Sequence, residues 1–204
     1  IALALMGVFF LAMTTTSHVQ TFTPAGLIMF AGYLKTGWLK VAFIFFLVGY
    51  GTKMGLAPMH TWLPDAHSEA PSPVSAMLSG ALLNCAFLGI LRIYQVCVAI
   101  PVMAAFASEL LVIAGLVSMG LSGVFIIHQP DYKRMLAYSS VGHVGYILLV
   151  FIAQPESSSS TIFYYLTAYS VASITSFAVL LQVEKLNSGT DILQFNGLFK
   201  RSPF

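Results

Sequence analysis

The chain has 204 residues, of which 58% are apolar and only 8% are Asp, Glu, Lys or Arg. A soluble domain carries about 25% charged residues, so a hydrated surface cannot be built here, and both a soluble and a disordered protein are excluded. The formal net charge of +2 comes without a basic cluster, which argues against a nucleic-acid binder. Cys85 and Cys97 lie in apolar surroundings and are expected to be free thiols. The composition therefore predicts an all-α integral membrane protein.

Six stretches are apolar enough to be membrane spans, each of which needs roughly 20 residues. The predicted spans are residues 1–16, 39–66, 74–97, 103–128, 135–153 and 162–183. Pro58 is expected to interrupt the second span. Residues 17–38 are predicted to be interfacial, 154–161 to be a polar link, and 184–204 to lie outside the bilayer. The sequence thus predicts one multi-helix bundle, and no alternating pattern typical of membrane strands recurs.

The ends and the basic residues give two further expectations. Ile1 opens directly in an apolar run without a Met or a basic signal-peptide region, so we interpret the chain as a piece of a longer protein. If successive spans cross the membrane in opposite directions, the basic residues form two sets on opposite sides of it. The larger set is expected on the cytoplasmic side. The smaller set is Lys35, Lys40 and Arg92, and the larger one is Lys133, Arg134, Lys185, Lys200 and Arg201.

Lys53 is the basic residue that lies well inside an apolar segment. A lysine near a helix centre costs about 2.5–3.5 kcal/mol to insert, so it indicates a functional site. Gly49, Gly51, Gly55 and Pro58 surround it and weaken the helix, and broken helices at membrane depth often mark ion sites. The alternative is a helix that simply ends here, with a lysine stem that reaches the interface.

The segment after this break is rich in titratable groups. His60, Asp65, His67 and Glu69 lie within ten residues. Because histidine titrates near neutrality and carboxylates can hold or receive its proton, a proton-exchanging patch is predicted. The spacing is not a zinc pattern, so no metal site is expected. The alternative is an ordinary polar turn that caps the next helix.

Two more candidate site residues lie inside later spans. Asn84, on the third span with Ser75 and Ser79, can relay a proton only through water, and hydrogen bonding between helices is its favoured role. His143, on the fifth span, is either a proton relay or a hydrogen-bonded structural histidine. Gly142 and Gly145 beside it should allow close helix approach.

Several classes of site have no pattern in this sequence. A glycine-rich phosphate loop, a CxxC pair and facing histidines for haem are all absent from it. No nucleotide site, redox centre or nucleophile is therefore predicted, and no cofactor is expected on this chain.

Two motifs make the chain resemble a known family. The chain resembles the antiporter-like membrane subunits of respiratory complex I in two runs of sequence. They are GTKMGLAPMHTWLPDAHSEAPSPVSAMLSGALL (residues 51–83) and DYKRMLAYSSVGHVGY (131–146). Membrane subunits of hydrogenases, such as the F subunit of hydrogenase-4, and Mrp-type sodium/proton antiporters belong to the same family. Residues 1–150 look most like the complex I M-type and hydrogenase-4 F subunits, and 160–204 look more like the N-type subunit.

The resemblance implies a fold and roles for particular residues. It implies part of an inverted-repeat fold of about fourteen helices, of which this piece covers roughly the sixth to the eleventh. Lys53 would be the lysine of the first broken helix and a central proton carrier, whose glutamate partner would lie before Ile1. A terminal lysine or glutamate would lie beyond Phe204. The chain departs from the family pattern at Asn84 and Ser79, where related subunits carry a lysine and a histidine, and the sixth span lacks the lysine or histidine often found there.

Four functions follow as candidates. The first is a proton-translocating subunit of a complex I-type NADH:quinone oxidoreductase in a bacterial inner membrane, coupled to redox chemistry in other subunits. The alternatives are the equivalent hydrogenase subunit, a sodium/proton antiporter, and a scaffold bundle that conducts nothing. The resemblance implies other membrane subunits and the lipid bilayer as partners.

Overall fold

The computed structural model describes residues 1–15, 22–153, 158–186 and 191–192. These residues are almost entirely helical and contain no strand, although an isolated backbone bridge joins Asp131 and Asp191. In chain order the helices are α1 (Ala2–Thr14), α2 (Pro24–Met29), α3 (Thr36–Met54), α4 (Trp62–Glu69), α5 (Ser72–Met77), α6 (Leu83–Val98), α7 (Pro101–Ile126), α8 (Tyr132–Ala153) and α9 (Ser158–Leu186). A 3-10 turn at Ala31–Tyr33 precedes α3, and a π-helical segment, Leu78–Leu82, joins α5 to α6.

Four helical stretches in the described part of the chain are long and apolar enough to cross a membrane. They are Ser72–Val98, Pro101–Ile126, Tyr132–Ala153 and Ser160–Lys185, and they match the last four predicted spans. The prediction of an all-α membrane bundle is confirmed. The first predicted span corresponds to α1, which has 13 residues, and the second is divided between α3 and α4. A count of six spans stays a prediction.

The break in the second predicted span covers residues 55–61, between α3 and α4, and includes Pro58, the expected position of the interruption. Gly55 adopts φ +76°, which is a left-handed conformation that glycine takes without strain. The N–H of Leu56 donates to the carbonyl of Gly51 at 2.8 Å, and that of Gly55 donates to the carbonyl of Thr52 at 3.3 Å. This is the glycine-terminated pattern that commonly ends helices. Gly55 therefore ends α3, and Pro58 lies within the break that follows it.

Small residues let α7 and α8 approach closely. A Cβ placed on Gly145 would lie 2.6 Å from the carbonyl oxygen of Gly115, and one on Gly142 would lie 2.8 Å from Oγ of Ser122. Neither position has room for a side chain without a shift of the backbone or of its neighbour. The prediction that Gly142 and Gly145 allow close helix approach is confirmed.

Lys40 and Lys133 lie near the starts of α3 and α8. Lys40 places its ammonium 5.1 Å from the ring centre of Phe106, near the start of α7. Lys133, at the start of α8, contacts Glu184, at the end of α9, so the ends of α8 and α9 that carry Lys133 and Lys185 lie together. Lys200 and Arg201 lie outside the described residues.

Candidate functional site

Lys53 lies in the last turn of α3, immediately before the break. Its side chain is half-buried and borders a cavity of about 250 Å³ between α1, α3 and α4. Within the described residues its ammonium has no hydrogen bond and no ion pair. A charged group with this surrounding needs water or a partner from another segment, and the cavity has room for several waters. The lining residues are Ile1, Leu3, Gly49, Thr52 and Trp62.

Contacts of Met54 place the break beside the middle of a spanning helix. Met54 borders a small internal cavity of about 10 Å³ together with Asn84, Phe87 and His143. Asn84 is the thirteenth residue of the 27-residue stretch Ser72–Val98. At 1.5 Å per residue it lies roughly 20 Å from either end of that stretch. The break and the neighbouring lysine therefore lie at the level of the centre of the bundle.

Side chains hold the broken backbone in place. Trp62 Nε1, from the start of α4, donates to the carbonyl of Thr52 at 2.6 Å, so one carbonyl at the end of α3 is satisfied across the break. The N–H of Ala57 donates to Oγ of Ser118 on α7 at 2.9 Å. These bonds satisfy polar groups that would be costly to bury unpaired, and they fix the position of the linker between α3 and α4.

The structure separates the titratable residues that the sequence grouped into one patch. His60 is buried and its ring faces Phe125 and Tyr138, at 6.4 and 6.1 Å between ring centres. Asp65 forms an exposed ion pair with Arg134 on α8. Glu69 is exposed as well. Because these side chains point to different neighbours, they do not form a single exchanging cluster.

His67 is fully buried against α9. Its ring stacks on Phe177, with 5.2 Å between ring centres, and neither ring nitrogen has a hydrogen-bond partner in the part of the chain that the structure describes. A buried imidazole with two unpaired nitrogens is uncommon and indicates a functional group or a site for water. His67 is therefore the member of the predicted patch whose surroundings look least like an ordinary polar turn.

An ion pair that the sequence analysis missed lies near His67. Lys133 Nζ is 2.7 Å from Oε1 of Glu184 and donates to the carbonyl of Ala70 at 3.0 Å, while Ser72 Oγ donates to Oε2 of Glu184 at 2.6 Å. The side chains of Lys133 and Glu184 are 8% and 22% exposed, respectively. From the sequence alone, Lys133 is expected at the cytoplasmic end and Glu184 outside the bilayer. The sequence gives one weak indication of this ion pair. Lys133 stands just before a predicted span, and Glu184 stands just after another.

Asn84 and His143 both make hydrogen bonds with α9. Asn84 Nδ2 donates to the carbonyl of Gly80 in its own helical stretch at 2.9 Å and to Oγ of Ser170 on α9 at 2.7 Å. The second bond is of the kind expected for Asn84, a hydrogen bond between helices. His143 Nδ1 lies 2.6 Å from the hydroxyl of Tyr165. His143 is exposed and borders an open groove of about 460 Å³ on the surface between α7, α8 and α9.

A cluster of four hydroxyl groups lies between α8, α9 and the π-helical segment. Ser79 Oγ is 3.0 Å from Oγ of Ser140, 2.8 Å from the hydroxyl of Tyr169 and 2.7 Å from Oγ of Ser173. Ser79 and Ser140 are buried. We refer to these four residues as the hydroxyl cluster. The sequence analysis named only Ser79, because serines on different helices give no sequence signal that they meet.

The π-helical segment positions this cluster. Such segments are rare and often occur at functional sites. Gly80 within it has no room for a Cβ, which would lie 2.9 Å from Ile174 on α9. Its carbonyl also accepts the hydroxyl of Ser170 at 2.9 Å. The close approach at Gly80 brings Ser79 within hydrogen-bonding distance of α9.

A metal site has no support in the part of the chain that the structure covers. Within the described ranges no three His, Cys, Asp or Glu side chains gather closely enough to hold an ion. Cys85 and Cys97 are both free thiols, as expected. The polar groups here are suited to holding and passing protons, since they are lysine, histidine, carboxylate and hydroxyl groups.

Comparisons with known proteins agree with the two sequence motifs. Residues 2–204 match the family model described as NADH:quinone oxidoreductase/Mrp antiporter, TM. The chain is 34% identical over 207 residues to the hydrogenase-4 component F homolog of Methylacidiphilum infernorum, covering 100% of this chain and 43% of that protein. It is 36% identical over 162 residues to NADH-quinone oxidoreductase subunit N 1 of Herpetosiphon aurantiacus, covering 78% of this chain and 32% of that protein. The chain thus spans less than half the length of these relatives.

Two solved structures share the fold. A chain of the membrane-bound sulfane sulfur reductase, an archaeal respiratory membrane complex, matches with a TM-score of 0.89 and 25% identity, over 99% of this chain and 40% of that one. A chain of respiratory complex I from Thermus thermophilus with bound aureothin matches with a TM-score of 0.72 and 27% identity, over 99% of this chain and 41% of that one. With the family match and the four apolar helices, these likenesses show that the chain is an integral, multi-pass membrane protein of the NADH:quinone oxidoreductase/Mrp antiporter transmembrane family.

Proposed function

We propose that this chain is part of a proton-translocating membrane subunit of a complex I-type NADH:quinone oxidoreductase, with Lys53 as its central proton carrier. The observation that carries this proposal is the ammonium of Lys53, which has no partner among the described residues and lies beside a cavity and a broken helix at the level of the bundle centre. The family match supports the same role, since relatives named as NADH-quinone oxidoreductase subunit N cover most of the chain.

The physical basis is the balance between burial and charge. Burial disfavours the charged form of a lysine, whereas a nearby carboxylate favours it. We propose that another segment of the full-length protein brings such a carboxylate to Lys53. When that carboxylate approaches, Lys53 should hold a proton, and when it withdraws or is neutralised, Lys53 should release the proton. Redox chemistry in other subunits would drive this alternation, so this chain needs no redox centre.

Five other residues have different proposed parts in this function. They are Asn84, His143, His60, Asp65 and His67. His143 has a hydroxyl partner and borders an open groove, which supports a relay role. His67 has no hydrogen-bond partner for its ring nitrogens among the described residues and is proposed as an exchanging group near one end of the path. Asn84 holds α9 in place. His60 and Asp65 are proposed to shape the break and its ionic environment rather than to carry protons in sequence.

The test uses the full-length protein in the complete complex, reconstituted in liposomes. Lys53→Met should remove most of the proton translocation that depends on this subunit, because a methionine cannot hold a proton. Lys185→Met, which alters an exposed lysine at the end of α9, is the matched control and should translocate normally. Unchanged proton translocation by the Lys53→Met complex would refute the proposed function.

Three alternatives predict different results in the same preparation. A sodium/proton antiporter would require sodium for transport, but sodium needs several convergent oxygen ligands, and this site offers a lysine instead. A scaffold bundle would leave translocation unchanged in every variant. A hydrogenase subunit would share the proton path and differ in its partner enzyme, which co-purification with hydrogenase rather than NADH-oxidising subunits would reveal. The resemblance to hydrogenase-4 component F keeps this alternative open.

Location and partners follow from the same proposal. We propose the bacterial inner membrane, because the named relatives are bacterial proteins. The partners would be other membrane subunits of a large respiratory complex, as for the chains in the similar solved structures.

A further inference from the structure

Glu109 is an exposed carboxylate within a helix that is long enough to cross the membrane. It is the ninth residue of α7, so it lies about 12 Å from the start of that helix at 1.5 Å per residue. The 26 residues of α7 extend for about 39 Å, whereas the hydrocarbon core of a bilayer is about 30 Å thick. When α7 is centred in the bilayer, Glu109 therefore lies roughly 7 Å inside the hydrocarbon core.

The burial pattern of α7 places Glu109 on the side that faces away from the bundle. Ala107 and Leu111 are fully buried, and Glu109 is two residues from each of them. Because successive residues of a helix are about 100° apart, Glu109 lies on the opposite side. Four exposed apolar residues share that side with it: Val102, Ile113, Leu116 and Val124. We refer to these five residues as the outer face of α7.

The carboxylate of Glu109 has no ion pair and no hydrogen bond within the ranges that the structure describes. The neighbouring Ser108 does have a partner, since its hydroxyl lies 2.8 Å from that of Tyr94 on α6. Lys40 places its ammonium over the ring of Phe106, one turn before Glu109, and does not form an ion pair with Glu109. Acidic side chains within membrane spans are costly and are almost always paired. The carboxylate of Glu109 therefore calls for a cation from outside these helices.

We propose that the outer face of α7 binds a membrane helix of a neighbouring subunit, and that a lysine or arginine of that helix pairs with Glu109. Lipid tails offer no cation at this depth, whereas a basic side chain on a partner helix does. The apolar residues on either side of Glu109 would pack against the same helix and exclude water from the ion pair. Both similar solved chains belong to respiratory complexes. The inference rests on the partners proposed above and is independent of proton transfer by Lys53.

Crosslinking in the complete complex identifies what covers the outer face. A photoreactive benzoylphenylalanine in place of Ile113, one turn after Glu109, should crosslink to another membrane subunit when the complex is illuminated. Mass spectrometry of the product should place the crosslink on a helix that carries a lysine or arginine within about one turn of the crosslinked residue. A crosslink within the same polypeptide, to a second copy of it or to lipid alone would overturn the proposal.

Glu109→Gln tests the ion pair itself, because glutamine keeps the size of the side chain and removes its charge. The crosslinked subunit should dissociate from the purified complex in detergent about 30-fold faster, the lower end of the effect of removing one partner of a buried charge pair. Glu109→Asp keeps the charge and should dissociate more slowly than Glu109→Gln. Glu69→Gln is the matched control, because Glu69 is exposed at the end of α4, and this variant should dissociate as the unaltered complex does. Native gel electrophoresis after dilution measures these rates.

A double variant distinguishes a direct ion pair from a general loss of packing. Replacing the basic residue of the partner helix by methionine in the Glu109→Gln complex should cause no further loss, because the two changes remove the same interaction. Additive losses would show that Glu109 does not pair with that residue. If Glu109→Gln dissociates no faster than the unaltered complex, the proposed docking face is wrong. The result for proton translocation by Lys53→Met decides the proposed function separately.

Discussion

At the scale of single residues, Lys53 and Lys133 show two ways to bury an ammonium group. Lys133 is paired with Glu184 and donates to a carbonyl, which compensates much of the cost of desolvation. Lys53 has no such partner within the described residues and borders a cavity instead. The first arrangement holds a charge permanently, and the second is suited to a charge that is gained and lost.

The buried ion pair should matter more for stability than the exposed one. Glu184→Ala leaves the ammonium of Lys133 without its carboxylate and should destabilise the protein by about 3 kcal/mol, as for other broken buried pairs. Asp65→Ala removes the partner of Arg134, and these two side chains are 68% and 42% exposed, respectively. This substitution should lower the free energy of unfolding by at most about 1 kcal/mol. Thermal unfolding of both variants in detergent measures the difference. Equal losses of stability would contradict this view of the Lys133–Glu184 pair.

The sequence identified some site residues and not others for physical reasons. Lys53 was predictable because a charge within an apolar run is costly and therefore visible in one segment. The pairing of Lys133 with Glu184 was not predictable, since the partners lie 51 residues apart and each resembles an ordinary helix end. The hydroxyl cluster was hidden for the same reason, because its members belong to three separate helical segments.

At the scale of elements, the break between α3 and α4 has a specific cause. Both Gly55 and Pro58 are helix breakers, so the sequence indicates that the helix ends here and leaves two candidates for the position. The left-handed conformation of Gly55 ends α3 and permits the hydrogen bond from Leu56 to Gly51. Trp62 then satisfies a carbonyl across the break. The left-handed backbone angle of Gly55 therefore determines where α3 ends.

Gly55→Ala should therefore be destabilising. An alanine would be strained at φ +76°, and its Cβ would lie 2.8 Å from Cδ2 of Leu63. We expect a loss of about 1–3 kcal/mol, as for other residues held in this region of backbone space. Gly120→Ala is the control, because nothing lies within 4 Å of a Cβ at that position in α7, and alanine favours helix. Unfolding measurements that show equal stability for the two variants would be inconsistent with this account.

The packing of α7 on α8 gives a second prediction about an element. Gly145→Ala would place a Cβ 2.6 Å from the carbonyl oxygen of Gly115, so the helices would have to separate at a cost of about 1–3 kcal/mol. Gly123→Ala, at an open position in α7, should be tolerated. The measurement is the melting temperature of each variant in detergent. A Gly145→Ala protein with the same melting temperature as the unaltered protein would rule out this tight contact.

At the scale of the whole molecule, the fold class followed from composition alone, since so few charges cannot cover a soluble surface. The four long helices are found where apolar runs predicted them. The arrangement of the bundle did not follow from the sequence, because it depends on which faces meet at small residues such as Gly80 and Gly115. The distribution of basic residues adds a prediction about orientation.

The end of the bundle with Lys133 should face the cytoplasm, following the excess of basic residues there. Glu69→Cys, near that end, should react with a membrane-impermeant thiol reagent added from the cytoplasmic side. Ala99→Cys, between α6 and α7 at the other end, should react only from the opposite side. Both positions are exposed, and Cys85 and Cys97 would be replaced by alanine first. Labelling from the reversed sides would overturn the orientation.

A density map of the complete complex, at a resolution that shows ordered water, tests the central claim most directly. The account predicts that Nζ of Lys53 lies near the middle of the bilayer, with waters filling its cavity of about 250 Å³ and continuing toward Asn84. A map that places this nitrogen at the level of the lipid headgroups, with no water leading to it from inside the bundle, would contradict proton transport through Lys53.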